Sequence, residues 1–323
     1  MKTIGIFCGG FSSEFEISMK SVNTILDHFP DGFSPLIIKV TREGWLTEMN
    51  GKSGIFDLNC ASAIIQEQII PLTGALVYTH GDPGENGKIQ AYLDMFKVPY
   101  INSDPLASSL SFDKWYCNQF LKSFGFSVAK SILSKKNSNL DTNRIVNELG
   151  LPLFIKPTNS GSSYGISKVK SANELQKALA LAYTEGETAV IESFLNGIEV
   201  TCGVYRKASE IQALPLTEIV SENEYFDFEA KYQGKSQEIT PARISPEHTL
   251  SIQAQSIEIY KLLNLRSIAR IDFMLVDSTP YVIEVNTTPG FSAESIVPKM
   301  LKEAGIPYSE FWNDIFETEL KSS

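Results

Sequence analysis

The sequence predicts an α/β layer in the first third of the chain and an α+β arrangement in the remainder, on three observations. Up to about Ile101, short apolar runs alternate with stretches of helical apolar spacing. The pattern then breaks at Asn102-Ser103-Asp104-Pro105, and from about Ser193 strand-like runs dominate. With 323 residues the chain exceeds the ~250 to 300 that one hydrophobic core usually serves. Length alone suits two or three domains, and the changes of pattern place breaks near Ile101 and Ser193, over residues 1–102, 103–192 and 193–323 if there are three.

The first element is the apolar run from Thr3 to Cys8, closed by Gly9-Gly10. Ser13 and Glu16 stand at capping-box spacing, and Val22, Ile25, Leu26 and Phe29 recur on one helical face, so a βα unit opens the chain. Strands are expected at Pro35 to Val40 and Ala75 to Thr79, the latter running into the loop His80 to Gly87. Ile89, Tyr92, Leu93 and Phe96 mark the next helix. Beyond Pro105 come a helical stretch and a strand at Leu153 to Lys156 that ends in a Gly/Ser turn. Ser171 and Glu174 form a second capping-box pattern before Leu175, Leu179 and Ala182, and Thr188 to Glu192 reads as a strand.

Composition narrows the function. The formal net charge is -10 with no run of Lys or Arg, which argues against nucleic acid, because phosphate neutralisation needs clustered cations. Cys8, Cys60, Cys117 and Cys202 are scattered without metal-ligand spacing, as expected of buried free thiols in a reducing compartment. The opening MKTIGIFCGGF reads as a strand rather than a signal peptide, and no run reaches the ~18 apolar residues of a membrane span. A cytoplasmic location is the expectation.

Chemistry concentrates near the C-terminus. Ser267 to Leu275 and Pro280 to Asn286 flank the polar turn Asp277-Ser278-Thr279 and read as a hairpin. Strand alternation puts Ala269, Ile271, Phe273 and Leu275 on one face and Arg270 with Asp272 on the other. A turn centred on Ser278 sets Asp272 opposite Glu284 and Arg270 opposite Asn286, whereas a slip of one residue undoes this register. Opposed carboxylates cost up to ~1 kcal/mol even when exposed. A hard divalent cation relieves that cost, and an Asp, Glu and Asn oxygen set suits magnesium shared with phosphates. A solvated hairpin face with Arg270 bridging the acids explains the spacing equally well.

A second signal is Lys156-Pro157-Thr158-Asn159-Ser160-Gly161-Ser162-Ser163-Tyr164-Gly165. Small residues after a strand-end lysine can expose N–H groups to phosphate. It is not a Walker A loop, since the lysine precedes the glycines, and a plain hairpin turn accounts for it alone. Gly9-Gly10 lacks the G-x-G-x-x-G of a dinucleotide site. Glu14 near a helix start and His80 at a strand end each have ordinary structural readings. The mixed aromatic and charged segment Glu222 to Gly234 reads as a long loop of the kind that forms lids.

Together these segments resemble the D-alanine:D-alanine ligases of the ATP-grasp superfamily, in order over nearly the whole chain. The matching blocks are Gly9-Gly10 through Ser18, His80 through Gly87, Lys156 through Gly165, Glu229 through Tyr232, Arg270 through Asp272 and Glu284 through Ser295. The resemblance implies a three-domain enzyme whose two later α+β domains close over ATP. It assigns the phosphates to Lys114 and Lys156, with Ser162, Ser163 and Lys231 in the ATP site. Adenosine falls to Glu192, Leu195 and Glu199, and the adenine slot to Phe194, Phe226, Met274 and Ile283. Asp272, Glu284 and Asn286 would hold two Mg2+ or Mn2+ ions, and a K+ ion is a further expectation.

For the amino acids, the resemblance gives Glu14 the first D-alanine ammonium and Ser295 the second carboxylate, with Arg270 and the Gly290 amide on the oxyanion. Ser162, Tyr232 and Glu14 resemble the family's hydrogen-bonded trio, with His80 and Lys231 close by. The implied reaction phosphorylates one D-alanine carboxylate and lets the amine of the second displace phosphate, supplying D-alanyl-D-alanine for peptidoglycan precursors. A homodimer is expected from the same resemblance. Two departures are Ser160, where many members carry an acid, and Asn86, often Asp. The rival readings are a ligase making D-alanyl-D-lactate or another dipeptide from related substrates, against which Lys231-Tyr232 speaks, and a nucleotide-binding regulator without turnover.

Overall fold

The structure, a computed structural model, describes residues 1–161, 164–221 and 236–320. Its first sheet has eight strands: β1 (Lys2–Gly9), β2 (Phe33–Val40), β3 (Trp45–Met49), β4 (Lys52–Asp57), β5 (Ser62–Ile65), β6 (Gln68–Pro71), β7 (Gly74–Val77) and β8 (Tyr100–Ile101), in the order 6-5-4-3-2-1-7-8. Helices α1 (Phe15–Leu26) and α2 (Lys88–Met95) belong to this part. β1 lies between β2 and β7, parallel to both, and its residues from Ile4 onward are buried. That is why it reads as an unbroken apolar run rather than an alternation.

Three details differ from the sequence expectations here. The Ser13–Glu16 capping box does not form: α1 begins at Phe15, Glu14 takes the N-cap place, and no side chain caps the helix. Instead the Ser12 hydroxyl accepts from the Glu14 N–H. Phe29 lies past the end of α1 and packs edge-on against Phe316 with ring centroids 5.1 Å apart. The antiparallel extension β3 to β6 was not anticipated, although its first turn carries Asn50-Gly51, both at positive φ.

Next come helices α3 (Pro105–Phe112), α4 (Lys114–Ser123) and α5 (Thr142–Leu149), then α6 (Leu175–Ala182). Four strands form a second sheet: β9 (Ser131–Lys135), β10 (Leu153–Pro157), β11 (Ser167–Val169) and β12 (Thr188–Ser193), ordered 11-10-12-9 and antiparallel. The small-residue loop therefore does close a hairpin, β10 to β11. Beyond β11, Ser171 precedes and Glu174 ends a 3-10 turn: the Ser171 hydroxyl donates to Glu174, whose other oxygen accepts from the Lys170 N–H.

The third sheet holds β13 (Ile198–Lys207), β14 (Glu210–Ala213), β15 (Thr217–Ser221), β16 (Ser236–Ile239), β17 (Ile268–Val276) and β18 (Thr279–Asn286). Helix α7 (Pro246–Leu262) covers it, and α8 (Ile296–Glu303) and α9 (Tyr308–Leu320) follow. Packing crosses these divisions. Cys117 and Leu121 of α4 share a core with Val282 and Val285 of β18, and Trp312 and Phe316 of α9 share one with Ile4 and Ile6 of β1. Arg266 adds a polar tie, donating to Glu319, Asp104 and the Tyr100 carbonyl.

Cys8, Cys117 and Cys202 are buried, and burial pushes each thiol up to about 12, so they are inert at neutral pH. Cys60 corrects the expectation of buried thiols: it is exposed beside Asp57. Among the described residues no helix is long and apolar enough to cross a membrane.

Candidate active site

A cavity of about 890 Å³ is lined by residues of the second and third sheets together with α1 and the loop after β7, a size that suits a small-molecule ligand. Its floor is the β17–β18 hairpin. Val276 pairs with Thr279 across the two-residue turn Asp277-Ser278, with Asp277 at φ 53. That turn alone would set Asp272 opposite Ile283. A register shift between Asp272 and Phe273 admits one extra residue, and Asp272 then faces Glu284 while Arg270 faces Asn286. The expected pairing holds because the bulge makes good a turn one residue shorter than the one inferred.

Asp272 is buried and fully engaged. Arg270 grips both its oxygens at 2.9 Å, the Thr201 hydroxyl donates to Oδ1, and the Asn286 amide donates to Oδ2 at 3.2 Å. Burial opposes the Arg270 charge, yet the Asp272 carboxylate outweighs it and holds the guanidinium ionised. Bridging by Arg270 was one of the two sequence readings of this face. The accompanying expectation of a solvated surface does not hold, because the face lines the cavity.

Two lysines approach from other elements. Lys114 opens α4, whose N-cap Asp113 accepts from the Trp115 and Tyr116 N–H groups. Its ammonium donates to the Ser160 carbonyl and stands 3.3 Å from Glu284. Lys156, on β10, pairs with Glu192 of β12 at 2.8 Å. Burial works against the Lys156 charge, but Glu192 overrides it and raises the pKa. Lys156 thus remains a cation in a partly desolvated cleft.

At one end Glu14, His80 and Glu85 meet the small-residue loop. A Cβ on Gly161 would fall 2.2 Å from the Glu14 carboxylate, so a larger residue there would force the Glu14 side chain to move. Burial depresses the His80 pKa, with Glu14 opposing and Arg270 assisting, which leaves a neutral imidazole. Its Nε2 lies 3.5 Å from the Ser21 hydroxyl. Glu85 accepts from the Gly81 N–H at 2.7 Å and so braces the loop after β7. Asn86 donates to Asp82 within that loop, a local turn contact, and the Ser160 hydroxyl donates to nearby carbonyls of its own loop.

Burial, then the neighbouring Glu14, push the Glu85 carboxyl up to about 8 from 4.5. The folded state consequently binds this proton more tightly than the unfolded chain does. The stability it confers is complete below the unfolded value and is lost as pH rises from about 4.5 through 8. Glu85→Gln removes that dependence. Urea midpoints of the ligand-free protein at pH 5 and pH 8 should separate more for the wild type than for the variant, and equal separations would refute the assignment.

The remaining predicted residues line the same cavity: Glu192, Phe194, Leu195, Glu199, Met274, Ile283, Gly290 and Ser295. Lys168 lies 4.2 Å over the Phe194 ring. Ser295 is the N-cap residue of α8, and its hydroxyl is 2.8 Å from that of Ser292. Ser162, Ser163, Phe226, Lys231 and Tyr232 lie outside the described residues, as does the expected lid at 222–234. Sequence reasoning missed Thr201, Glu85 and Glu238, which line or support the cleft. Glu85 sits inside a motif already singled out, whereas Thr201 and Glu238 carry no local signal.

Asp272, Glu284 and Asn286 also bear on a divalent cation. Among the described residues no three His, Cys, Asp or Glu side chains cluster as a metal site, since the third donor here is an amide. The oxygen donor set, with two carboxylates paired across the bulge, nonetheless fits magnesium or manganese. Carboxylates outnumber cations along the lining, which leaves room for added positive charge.

Residues 120–317 match a family model described as D-ala D-ala ligase C-terminus. The D-alanine--D-alanine ligase of Parabacteroides distasonis is 40% identical over 324 residues, which is 99% of this chain and 98% of that protein. That of Flavobacterium johnsoniae is 40% identical over 322 residues, covering 99% and 100%. Among solved structures, the VanG D-Ala:D-Ser ligase from Enterococcus faecalis superposes with a TM-score of 0.88 at 28% identity, covering 98% of this chain and 99% of that one. The D-alanine--D-alanine ligase from Bacillus anthracis complexed with ATP gives 0.81 at 28% identity, covering 100% and 98%.

Proposed function

The chain belongs to the D-alanine--D-alanine ligase family, and from that premise we propose that its cleft joins two D-alanine molecules into D-alanyl-D-alanine, converting ATP to ADP and phosphate, for cell-wall precursor synthesis. The observation that carries this reading is the paired Asp272 and Glu284, flanked by Lys114, Lys156 and Arg270, on the floor of one cavity. Such an array suits a triphosphate beside a carboxylate substrate.

In this reading Lys114 and Lys156 hold the phosphates, aided by Ser162, Ser163 and Lys231. Glu192, Leu195 and Glu199 bind adenosine, and Phe194, Phe226, Met274 and Ile283 enclose adenine. Asp272, Glu284 and Asn286 hold two magnesium or manganese ions, which when bound neutralise charge on the phosphates. A potassium ion, a homodimer and a cytoplasmic location complete the proposal, with domains over 1–102, 103–192 and 193–323.

Glu14 receives the ammonium of the first D-alanine, near His80, and so presents its carboxylate to the γ-phosphoryl group. Phosphoryl transfer to a carboxylate oxygen breaks the bond to ADP and gives D-alanyl phosphate. Ser295 holds the second carboxylate. The amine of that second molecule attacks the acyl carbon and loses a proton, and inorganic phosphate leaves. Arg270 and the Gly290 N–H stabilise the tetrahedral oxyanion. Tyr232 with Ser162 and Glu14 closes the site against water, which protects the acyl phosphate.

Purified protein supplied with ATP and magnesium should release phosphate when D-alanine is added and not when L-alanine is. Equal release with both would reject the stereochemical assignment. Product analysis with D-serine and D-lactate as second substrates separates this reading from other ligases of the same fold.

A further inference from the structure

We propose that Thr201 is a positioning residue that keeps the Asp272 carboxylate aimed at the metal after Arg270 has let go of it. The inference rests on the ligand assignment just proposed for Asp272. It starts from a conflict in the site. Asp272 accepts two bonds from Arg270, one from Thr201 and one from Asn286, which together occupy the roughly four lone-pair positions of a carboxylate.

A carboxylate so engaged has no lone pair left for a cation. Arg270 also has two duties, since the fork that grips Asp272 is the group needed at the oxyanion. Both demands are met if the arginine opens its fork when the cation arrives. Asp272 then loses its strongest partner. Of the other two, Asn286 is itself a proposed ligand and must turn its oxygen toward the metal.

Thr201 has no such second duty. It lies on β13 directly opposite Asp272, which in turn faces Glu284, so the three stand in one row across adjoining strands. It is buried, and its single hydroxyl proton is committed to Oδ1, the alternative acceptor being the Ile271 carbonyl at 3.4 Å. The β-branched side chain is stiff about χ1, so the hydroxyl holds its direction when neighbouring groups move. The row continues to Thr217, whose hydroxyl meets that of Thr240 at 2.6 Å. A hydrogen bond to the outer side of a metal-binding carboxylate orients it and commonly contributes 10- to 100-fold in metal affinity.

The test is Mn2+ affinity of the whole protein in the presence of ADP, read by electron paramagnetic resonance without turnover. Thr201→Val should bind Mn2+ about 10- to 100-fold more weakly, and Thr201→Ser, which restores the hydroxyl, should bind close to wild type. Thr201→Ala removes the same hydroxyl and replaces the valine variant should that one not fold. Asp272→Asn is the control. Weak binding by Asp272→Asn with wild-type affinity in Thr201→Val would overturn the role of Thr201 alone. Wild-type affinity in Asp272→Asn would overturn the ligand assignment beneath it.

Discussion

Arg270→Met is expected to lower kcat by about 10² to 10³, the usual consequence of removing a donor that stabilises a tetrahedral oxyanion. KM for ATP should change far less, because the proposed place of the arginine is at the acyl centre rather than at the nucleotide. The same substitution strips Asp272 of the guanidinium that grips both its oxygens. Breaking a buried ion pair in this way costs about 3 to 5 kcal/mol, so the ligand-free variant should also unfold at a markedly lower urea concentration. Steady-state kinetics under conditions where circular dichroism shows the variant folded separates the two effects. A folded Arg270→Met enzyme with wild-type kcat would remove the arginine from the chemistry.

Glu284→Gln carries the second large effect. The substitution preserves shape but removes one charge from the proposed metal set. A metal ligand that supplies several kcal/mol of charge stabilisation corresponds to a loss of about 10² to 10³ in turnover. The fold should tolerate the change. Glu284 stands beside the Lys114 ammonium at 3.3 Å, and that ammonium keeps its bond to the Ser160 carbonyl. Raising magnesium should restore part of the activity, because the weakened site then fills by mass action. Retained activity at low magnesium would contradict the assignment of Glu284 as a ligand.

These expectations were legible in the sequence to different depths. The β17–β18 hairpin could be read because alternation assigns Arg270 and Asp272 to one face and four apolar residues to the other. Its register depended on two features that compensate, a shorter turn and a bulge, and no local pattern announces the bulge. Asn50-Gly51 did announce the turn between β3 and β4, so that part of the first sheet was available to sequence reasoning and was not taken up.

Other features are long-range by nature. Thr201 reaches Asp272 from 71 positions away, and the packing of α9 on β1 joins the two ends of the chain. Neither leaves a mark in composition or periodicity. The failed capping box at Ser13 has a local cause: the helix begins one turn's fraction later, at Phe15, with Glu14 left at its mouth facing the cleft.

Activation of a D-alanine carboxylate by ATP is the step from which the roles of Lys114, Lys156, Arg270 and the acidic pair all follow. D-alanine labelled with ¹⁸O in its carboxyl group tests it most directly, by mass analysis of the phosphate released during dipeptide synthesis. Acyl phosphate formation predicts one labelled oxygen in each phosphate, transferred from the alanine that was activated. Unlabelled phosphate accompanying dipeptide would mean that ATP acts on some other group, and the account of this cleft would be wrong.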